Sequence, residues 1–97
     1  MVIISKTILV DAGTKHPNVI NALNEWYNVC KNANWNSLAD IKHTFNNVDY
    51  VGNDRYVFNI KGNDYRLVVK IFFNIRTMYI RFIDTHSKYD KIDCRTI

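Results

Sequence analysis

Apolar residues recur at helical spacing in the first half of the chain and at every second position in the second half. The clearest helical stripe follows Pro17, and its members share one helix face. They are Val19, Ala22, Leu23, Trp26, Val29 and Cys30. Because the residue before proline is pushed out of the helical region, Pro17 ends a first helix over residues 6–15 and begins the second. Trp26 lies on the stripe, so we expect it in the core.

Short elements flank these two helices. Residues 2–4 are apolar and predict a short strand, after which Ser5 is expected to cap the first helix. Ser37 and Asp40 lie three residues apart, the spacing of two side chains that satisfy the free N–H groups of a helix start. This spacing predicts a third helix over Leu38–Thr44.

From Asp49 onward the apolar positions alternate, as is typical of strands. The alternation predicts four strands, over residues 49–51, 55–60, 65–73 and 77–83. Turn-forming residues at 61–64 predict a tight hairpin between the second and third of these strands. The predicted fold class is therefore α+β, with an N-terminal strand and two to three helices packed on a three- to four-stranded antiparallel sheet.

Alternation also assigns side chains of the last two strands to faces. One face of the longest strand carries Arg66, Val68, Lys70 and Phe72. One face of the last strand is expected to carry Met78, Ile80 and Phe82, which leaves Tyr79 and Arg81 on the other. A regular hairpin would place Arg81 beside Arg66 and Lys70. This basic patch suits phosphate contacts, although long basic side chains also cover apolar neighbours for structural reasons.

Composition and charge narrow the function classes. The chain has 97 residues, is 47% hydrophobic and carries a net charge of +4, so we expect one folded domain over residues 1–97. No apolar run approaches the roughly 20 residues of a membrane-spanning helix, and residues 2–4 lack the basic start of a secretion signal. We expect a cytoplasmic protein with no membrane association. All five arginines lie in the second half, which favours a polyanionic partner, nucleic acid first and an acidic protein second.

Neither the cysteines nor the acidic residues predict a cofactor. Cys30 and Cys94 lie far apart without paired neighbours, so we expect packing residues and neither a disulfide nor a zinc site. The candidate ligands near the C-terminus, Asp84, His86, Asp90 and Asp93, lack a familiar metal-ligand spacing. We therefore expect no metal and no other cofactor.

A polar segment follows the last strand and gathers the reactive side chains His86, Lys88, Tyr89, Asp90 and Lys91. Short segments placed by a rigid sheet commonly carry function without serving the core. Imidazole is the side chain that changes charge near neutral pH, so His86 suits an acid or a base. A histidine after a strand also serves often as a turn or capping residue, and this alternative stays open.

Two segments carry a family resemblance: residues 56–68 read YVFNIKGNDYRLV, and residues 85–90 read THSKYD. With the order of elements, they resemble the HigB-type toxins of type II toxin–antitoxin systems, within the RelE-like class. Further matches over essentially the whole chain are His16-Pro17, Trp26, Trp35, residues 37–41 and residues 91–93.

The resemblance implies a compact RelE-like domain with a short C-terminal helical turn. It implies an mRNA endoribonuclease that cleaves mRNA during translation on the ribosome. It also implies inhibition by a helix-turn-helix antitoxin of the HigA type.

Metal-free RNA cleavage needs a base for the 2′-hydroxyl proton, cations for the phosphate and an acid for the departing 5′-oxygen. The candidate catalytic residues are His86, Tyr89, Arg66 and Asp90, and the candidate RNA-binding residues are Lys70, Arg81, Lys88, Lys91 and Lys61. Arg66 offers a planar fork for phosphate, and Tyr89 suits a proton donor or a stacking ring. Asp90 either orients His86 or binds Lys91 or the backbone.

Two other readings remain. A non-catalytic module that binds RNA or the ribosome would use the same basic face without needing His86 or Tyr89. A protein-interaction domain would use that face against an acidic partner.

Overall fold

One five-stranded mixed sheet organises the structure, a computed structural model that describes residues 1–62 and 64–97. The strands are β1 (Val2–Ile4), β2 (Val48–Gly52), β3 (Arg55–Ile60), β4 (Tyr65–Phe72) and β5 (Thr77–Thr85). The helices are α1 (Thr7–Lys15), α2 (Ile20–Asn32), α3 (Leu38–Thr44) and α4 (His86–Tyr89), with 3-10 turns at Pro17–Val19 and Phe73–Ile75. The predicted α+β fold class is confirmed. Asn63, in the predicted hairpin turn, lies outside the described residues.

The strand order is β1-β5-β4-β3-β2. Strands β2 to β5 form the predicted antiparallel part, with β4 in the centre. The N-terminal strand adds a fifth, parallel member, because β1 pairs with β5 from Val2 opposite Thr77 to Ile4 opposite Tyr79. A parallel pair needs a long crossover, which the helices and the three other strands supply.

The helices form where the apolar stripe predicted them. His16 has a non-helical backbone (φ −130°, ψ 77°) that separates α1 from the turn starting at Pro17. The stripe of α2 faces the core, with Ala22 and Val29 partly buried and the other members buried. Trp26 is only 2% exposed, and its ring is edge-on to Phe58 at 5.4 Å between centroids. Within the described ranges, no helix is both long and apolar enough to cross a membrane.

The two predicted helix caps have different outcomes. At α3 the Ser37 hydroxyl accepts a hydrogen bond from the Asp40 N–H at 3.4 Å, as predicted. The prediction for Ser5 is wrong, because Lys6 occupies the cap position of α1 and no side chain accepts a hydrogen bond there. Ser5 instead takes a left-handed conformation (φ 71°) to turn the chain from β1, and its carbonyl accepts from the Ile8 N–H at 3.1 Å.

A β-bulge in β5 changes one predicted face. Val68 pairs with Phe82, but the next residue, Val69, pairs with Ile80, so Arg81 is an extra residue on the β5 side. The expectation that Phe82 shares a face with Ile80 is therefore wrong. Beyond the bulge Ile83 takes the core position, and Phe82 lies on the same sheet face as Val68.

The two faces of the sheet differ in what covers them. The face with Leu67 and Ile71 packs on the helices and contributes to the main core. The opposite face, here called the open face, carries the side chains of Arg66, Val68 and Lys70 on β4. Val68 is 0% exposed although it lies outside the main core, so part of the open face is also covered.

The segment after α4, residues 90–97 and here called the tail, lies along the open face. The main-chain oxygen of Ile97 accepts a hydrogen bond from Arg55 Nε at 3.0 Å, and that of Arg95 accepts from Asn53 Nδ2 at 3.2 Å. These contacts hold the end of the tail against the β2–β3 turn.

Candidate active site

The short helix α4 and the residue that follows it carry three of the predicted catalytic side chains. Thr85 caps it, because its hydroxyl accepts a hydrogen bond from the Lys88 N–H at 3.4 Å. The His86 N–H donates to the Asp64 carbonyl at 3.0 Å, which ties the start of α4 to the β3–β4 turn. Residues three and four apart on a helix face the same side, so His86, Tyr89 and Asp90 are neighbours.

His86 and Asp90 form a solvent-accessible pair. His86 Nε2 lies 3.4 Å from Asp90 Oδ1, and the two side chains are 48% and 61% exposed. The carboxylate is therefore placed to orient the imidazole. Asp90 also occupies the C-cap position of α4, where its N–H donates to the His86 carbonyl at 3.0 Å, so the structure contains both the contact with the His86 side chain and the capping position.

Tyr89 sits in a more enclosed position. Its hydroxyl donates a hydrogen bond to Cys94 Sγ at 3.4 Å in the tail. Burial, followed by this bond to Cys94, raises the pKa of Tyr89 to about 12. The phenol stays protonated throughout the neutral range, so Tyr89 can donate a proton or a hydrogen bond but cannot serve as a base there.

Arg66 reaches the same region from β4. Its Cζ atom lies 6.0 Å from the centroid of the Tyr89 ring, a cation–π distance. On the sheet Arg66 pairs with Asn59 of β3 and Asp84 of β5. The structure thus brings together the four residues that sequence reasoning selected as catalytic, here called the α4 cluster: Arg66, His86, Tyr89 and Asp90.

Three of the predicted RNA-binding lysines border this cluster or lie beside it. Lys88 is on α4, and Lys91 follows it; both are exposed to solvent. Lys61 is in the β3–β4 turn, and its ammonium donates to the Asn18 carbonyl at 3.3 Å, on the helical side of the sheet. RNA contact by these lysines stays a prediction.

Lys70 and Arg81 lie elsewhere on the open face. They line a shallow concavity of about 270 Å³ with three further residues, here called the Lys70 cavity: Arg55, Lys70, Phe72, Tyr79 and Arg81. The sequence placed Arg81 beside Lys70, and it does lie there. Arg66 is farther off, because four residues of strand separate it from Lys70, about 13 Å.

Sequence reasoning missed Arg55 as a member of this surface. The signal was available, since alternation in β3 puts Arg55 on the same face as Asn59, and Arg55 pairs directly with Lys70. The presence of Tyr79 and Phe72 in one concavity could not be read from either strand alone, because it depends on the pairing of β4 with β5.

A second histidine–carboxylate pair was also missed. His16 Nε2 lies 3.5 Å from Asp84 Oδ1, and the imidazole stands edge-on to Tyr65 at 5.3 Å. His16 and Asp84 border a cavity of about 150 Å³ that is also lined by Lys15 and Asp11 of α1. His16 and Asp84 lie 68 positions apart in the sequence, so no local pattern predicts this pair.

Other concavities offer less chemistry. A cavity of about 270 Å³ between α1 and α2 is mainly apolar, with Leu9, Ile20 and Leu23 among its lining residues and Lys6 as its only charged one. Among residues 1–62 and 64–97, no three His, Cys, Asp or Glu side chains converge in a way that suits a metal ion. The α4 cluster is therefore the candidate active site, because it combines titratable groups with a fixed cation.

Comparison with known proteins identifies the family of the chain. The model of the HigB_toxin family, described as the RelE-like toxic component of a toxin-antitoxin system, matches residues 20–92. The chain is 31% identical over 94 residues to the mRNA interferase HigB of Escherichia coli O6:H1, covering 95% of this chain and 91% of that protein. It is 32% identical over 93 residues to the mRNA interferase toxin HigB of Escherichia coli K12, covering 93% and 88%.

Proposed function

Because the chain belongs to the HigB_toxin family of RelE-like toxins, we propose that it inhibits translation by cleaving mRNA on the ribosome. Like the mRNA interferases it resembles, it is an endoribonuclease toxin of a toxin–antitoxin system. Its action on translated mRNA places it in the cytoplasm. A helix-turn-helix antitoxin of the HigA type holds it inactive.

The observation that carries the catalytic part is the α4 cluster. One helical turn presents His86 and Tyr89 on the same side, and Arg66 approaches the Tyr89 ring from β4 at 6.0 Å. A base, a proton donor and a permanent cation thus come from two elements that the sheet fixes relative to one another. These are the three groups that cleavage by the RNA's own 2′-hydroxyl requires.

The roles follow from the environments. His86, accessible and paired with Asp90, takes the proton from the 2′-hydroxyl, and the Asp90 carboxylate stabilises the imidazolium that forms. The 2′-oxygen attacks phosphorus as the bond to the 5′-oxygen breaks, which leaves a 2′,3′-cyclic phosphate and a 5′-hydroxyl. Arg66 neutralises charge on the phosphate. Tyr89, still protonated because its pKa is about 12, gives a proton to the departing oxygen after leaving Cys94.

The competing function is binding without cleavage. The Lys70 cavity favours it, because three permanent cations and two rings would hold RNA without any acid or base. Cleavage products separate the two functions, since only the catalytic one depends on the 2′-hydroxyl.

The test uses the purified chain with a defined mRNA, alone and on translating ribosomes. Ribosomes require Mg²⁺, so a chelator cannot be used to decide whether cleavage needs a metal. A single 2′-deoxy substitution at the cleaved nucleotide serves instead. We expect cleavage on ribosomes, fragments with 5′-hydroxyl ends, and no cleavage at the 2′-deoxy position. Fragments with 5′-phosphates would contradict the 2′-hydroxyl mechanism, and intact mRNA with arrested translation would favour binding alone.

The antitoxin partner is tested by co-purification with the small helix-turn-helix protein encoded beside this chain. We expect a stable complex that no longer cleaves mRNA. Full cleavage by that complex, or the absence of such a neighbouring gene, would contradict this part of the proposal.

A further inference from the structure

The Lys70 cavity has the properties of a binding site for one nucleotide. Its volume of about 270 Å³ is slightly below the roughly 300 to 1,000 Å³ of pockets for drug-sized ligands, and therefore suits a smaller group. Its five lining residues are three cations and two aromatic residues, with no carboxylate among them. That composition matches the charge and the flat rings of a nucleotide.

The aromatic residues form a wall that a base can stack on. Phe72 and Tyr79 lie on neighbouring strands with ring centroids 5.9 Å apart and planes at 81°, so one ring can stack on a base while the other meets its edge. Both rings are partly exposed. Stacking on aromatic side chains is the usual way in which proteins hold unpaired bases.

Three cations line the same cavity as the two rings, so they can contact the phosphate of a nucleotide whose base stacks there. Lys70 Nζ is 5.2 Å from the Phe72 ring centroid, which keeps the ammonium beside the stacking wall. Arg81 is exposed, because the β-bulge makes it the unpaired residue of β5. Arg55 is the third cation of the lining, and its guanidinium donates to the main-chain oxygens of Asn53 and Ile97.

The cavity lies in line with the α4 cluster on one strand pair. Arg66 and Lys70 are four residues apart on β4, about 13 Å, and Phe82 lies on the same face between them. A single RNA strand rises about 3.4 Å per nucleotide when stacked and more when extended, so this distance equals about two to four nucleotides. An RNA strand bound at both the α4 cluster and the Lys70 cavity would pass over Phe82.

We propose that the Lys70 cavity binds a base and its phosphate about two to four nucleotides from the bond cleaved at the α4 cluster. This inference rests on the proposed function, which supplies the RNA. The base stacks on Tyr79 while Phe72 meets its edge, and the phosphate contacts Lys70 and Arg81. By holding this base, the cavity positions the RNA strand and determines how many nucleotides separate the held base from the bond that is cleaved.

The test measures binding separately from cleavage. The probe is a fluorescent octamer of 2′-O-methyl RNA, which lacks the free 2′-hydroxyl and cannot be cut by the proposed mechanism. Its nucleotides are made abasic one at a time, and affinity for the whole chain is measured by anisotropy. We expect one position, or two adjacent ones, at which base removal weakens binding about tenfold, the contribution of a stacked base.

Variants then assign that base to the cavity. In Tyr79→Ala the affinity falls about tenfold, and base removal at the sensitive position has no further effect. Tyr79→Phe keeps the ring and behaves as the wild type. The matched control is Tyr50→Ala, which removes an exposed tyrosine of β2 outside the cavity. Melting temperatures verify that each variant is folded. The abasic series on the wild type tests the inference even if a variant fails to fold.

The inference would be overturned if base removal lowered the affinity equally at every position. It would also be overturned if base removal at the sensitive position still weakened binding to Tyr79→Ala. Loss of antitoxin binding with unchanged RNA binding in Tyr79→Ala would assign the cavity to a protein partner and would also overturn it. Failure of the proposed cleavage would give a different result. The octamer would still bind more weakly after base removal at the sensitive position, while mRNA stayed intact.

Discussion

The α4 cluster and the Lys70 cavity share one sheet face, and they differ in the kind of charge they carry. The α4 cluster pairs His86 with Asp90 and places Arg66 beside a protonated Tyr89. The Lys70 cavity has three permanent cations and two rings. The α4 cluster contains groups suited to proton transfer beside a cation, whereas the Lys70 cavity combines cations with rings and has no histidine or carboxylate. Under the proposed function, one end of the open face performs chemistry and the other end holds RNA.

Among the variants that test this comparison, removal of the His86 imidazole should have the largest effect on mRNA cleavage. We expect His86→Ala to lower the rate of mRNA cleavage by about 10² to 10⁴, the usual contribution of a general base or acid. The thermal stability should change little, because the side chain is about half exposed. Cleavage is followed by gel electrophoresis of a labelled mRNA at saturating enzyme. His43→Ala, in an exposed position on α3, is the matched control and should cleave normally.

Arg66→Lys tests whether the cluster needs the fork of the guanidinium in addition to its charge. We expect the cleavage rate to fall about 10²-fold, while RNA affinity changes less than threefold, because charge is kept and the planar fork is lost. The rate and the affinity are measured in the same titration. Arg95→Lys, at an exposed position in the tail, is the control. A rate equal to that of the wild type would show that any cation suffices there.

The paired variant Lys70→Gln/Arg81→Gln should affect binding alone. We expect the RNA concentration for half-maximal cleavage to rise about tenfold, with an unchanged rate at saturation. The slope of log affinity against log salt should fall by about 1.4, since each phosphate contact on a single strand contributes about 0.7. Lys31→Gln/Lys42→Gln removes two exposed charges on the helical side as a control. A lower saturating rate would place the cavity in the chemistry.

Asp90→Asn should have a smaller effect on the rate. The pair with His86 is exposed, and exposed pairs contribute about 0.2 to 1 kcal/mol, so we expect cleavage at saturation to be slower by a factor of about 1.4 to 5. Single-turnover kinetics at constant pH measure it. A loss as large as that of His86→Ala would mean that Asp90 itself exchanges the proton.

The smallest effect concerns Tyr89 and stability at high pH. Its folded-state pKa, about 12, lies above the ordinary value of about 10, so its stabilisation is complete below pH 10 and is lost as the pH rises towards 12. Tyr89→Phe should therefore lose less unfolding free energy than the wild type over that range. Urea unfolding at several pH values measures the difference, with Tyr50→Phe as the control. Equal losses in all three proteins would contradict the raised pKa.

The contrast between the two regions also shows how far sequence reasoning reaches. The α4 cluster could be selected in advance because three of its residues lie within five positions and Arg66 lies in a motif of the family that the chain resembles. The Lys70 cavity was only half predicted. Lys70 and Arg81 followed from alternation, but Phe82 was assigned to the wrong face because nothing local indicates the bulge at Arg81. Pairings across many residues, such as Arg55 with Lys70, become visible only when the strands are aligned.

The elements with a long periodic apolar pattern were predicted correctly. The prediction failed where the conformation of a single backbone residue determines the local structure. Helix α2 and strands β3 and β4 follow the apolar pattern closely. The left-handed Ser5 overrides its capping preference, because the chain must turn there from β1 into α1. The tail shows no periodicity, yet it supplies Cys94 to Tyr89 and the Ile97 oxygen to Arg55.

The most direct test of the central claim is the mapping of new mRNA 5′ ends in cells induced to express either the wild type or His86→Ala at equal levels. We predict 5′-hydroxyl ends within translated regions for the wild type and their absence for the folded variant, with growth continuing. The same ends in His86→Ala cells, or growth arrest by the wild type with transcripts intact, would contradict the assignment of the chemistry to the α4 cluster.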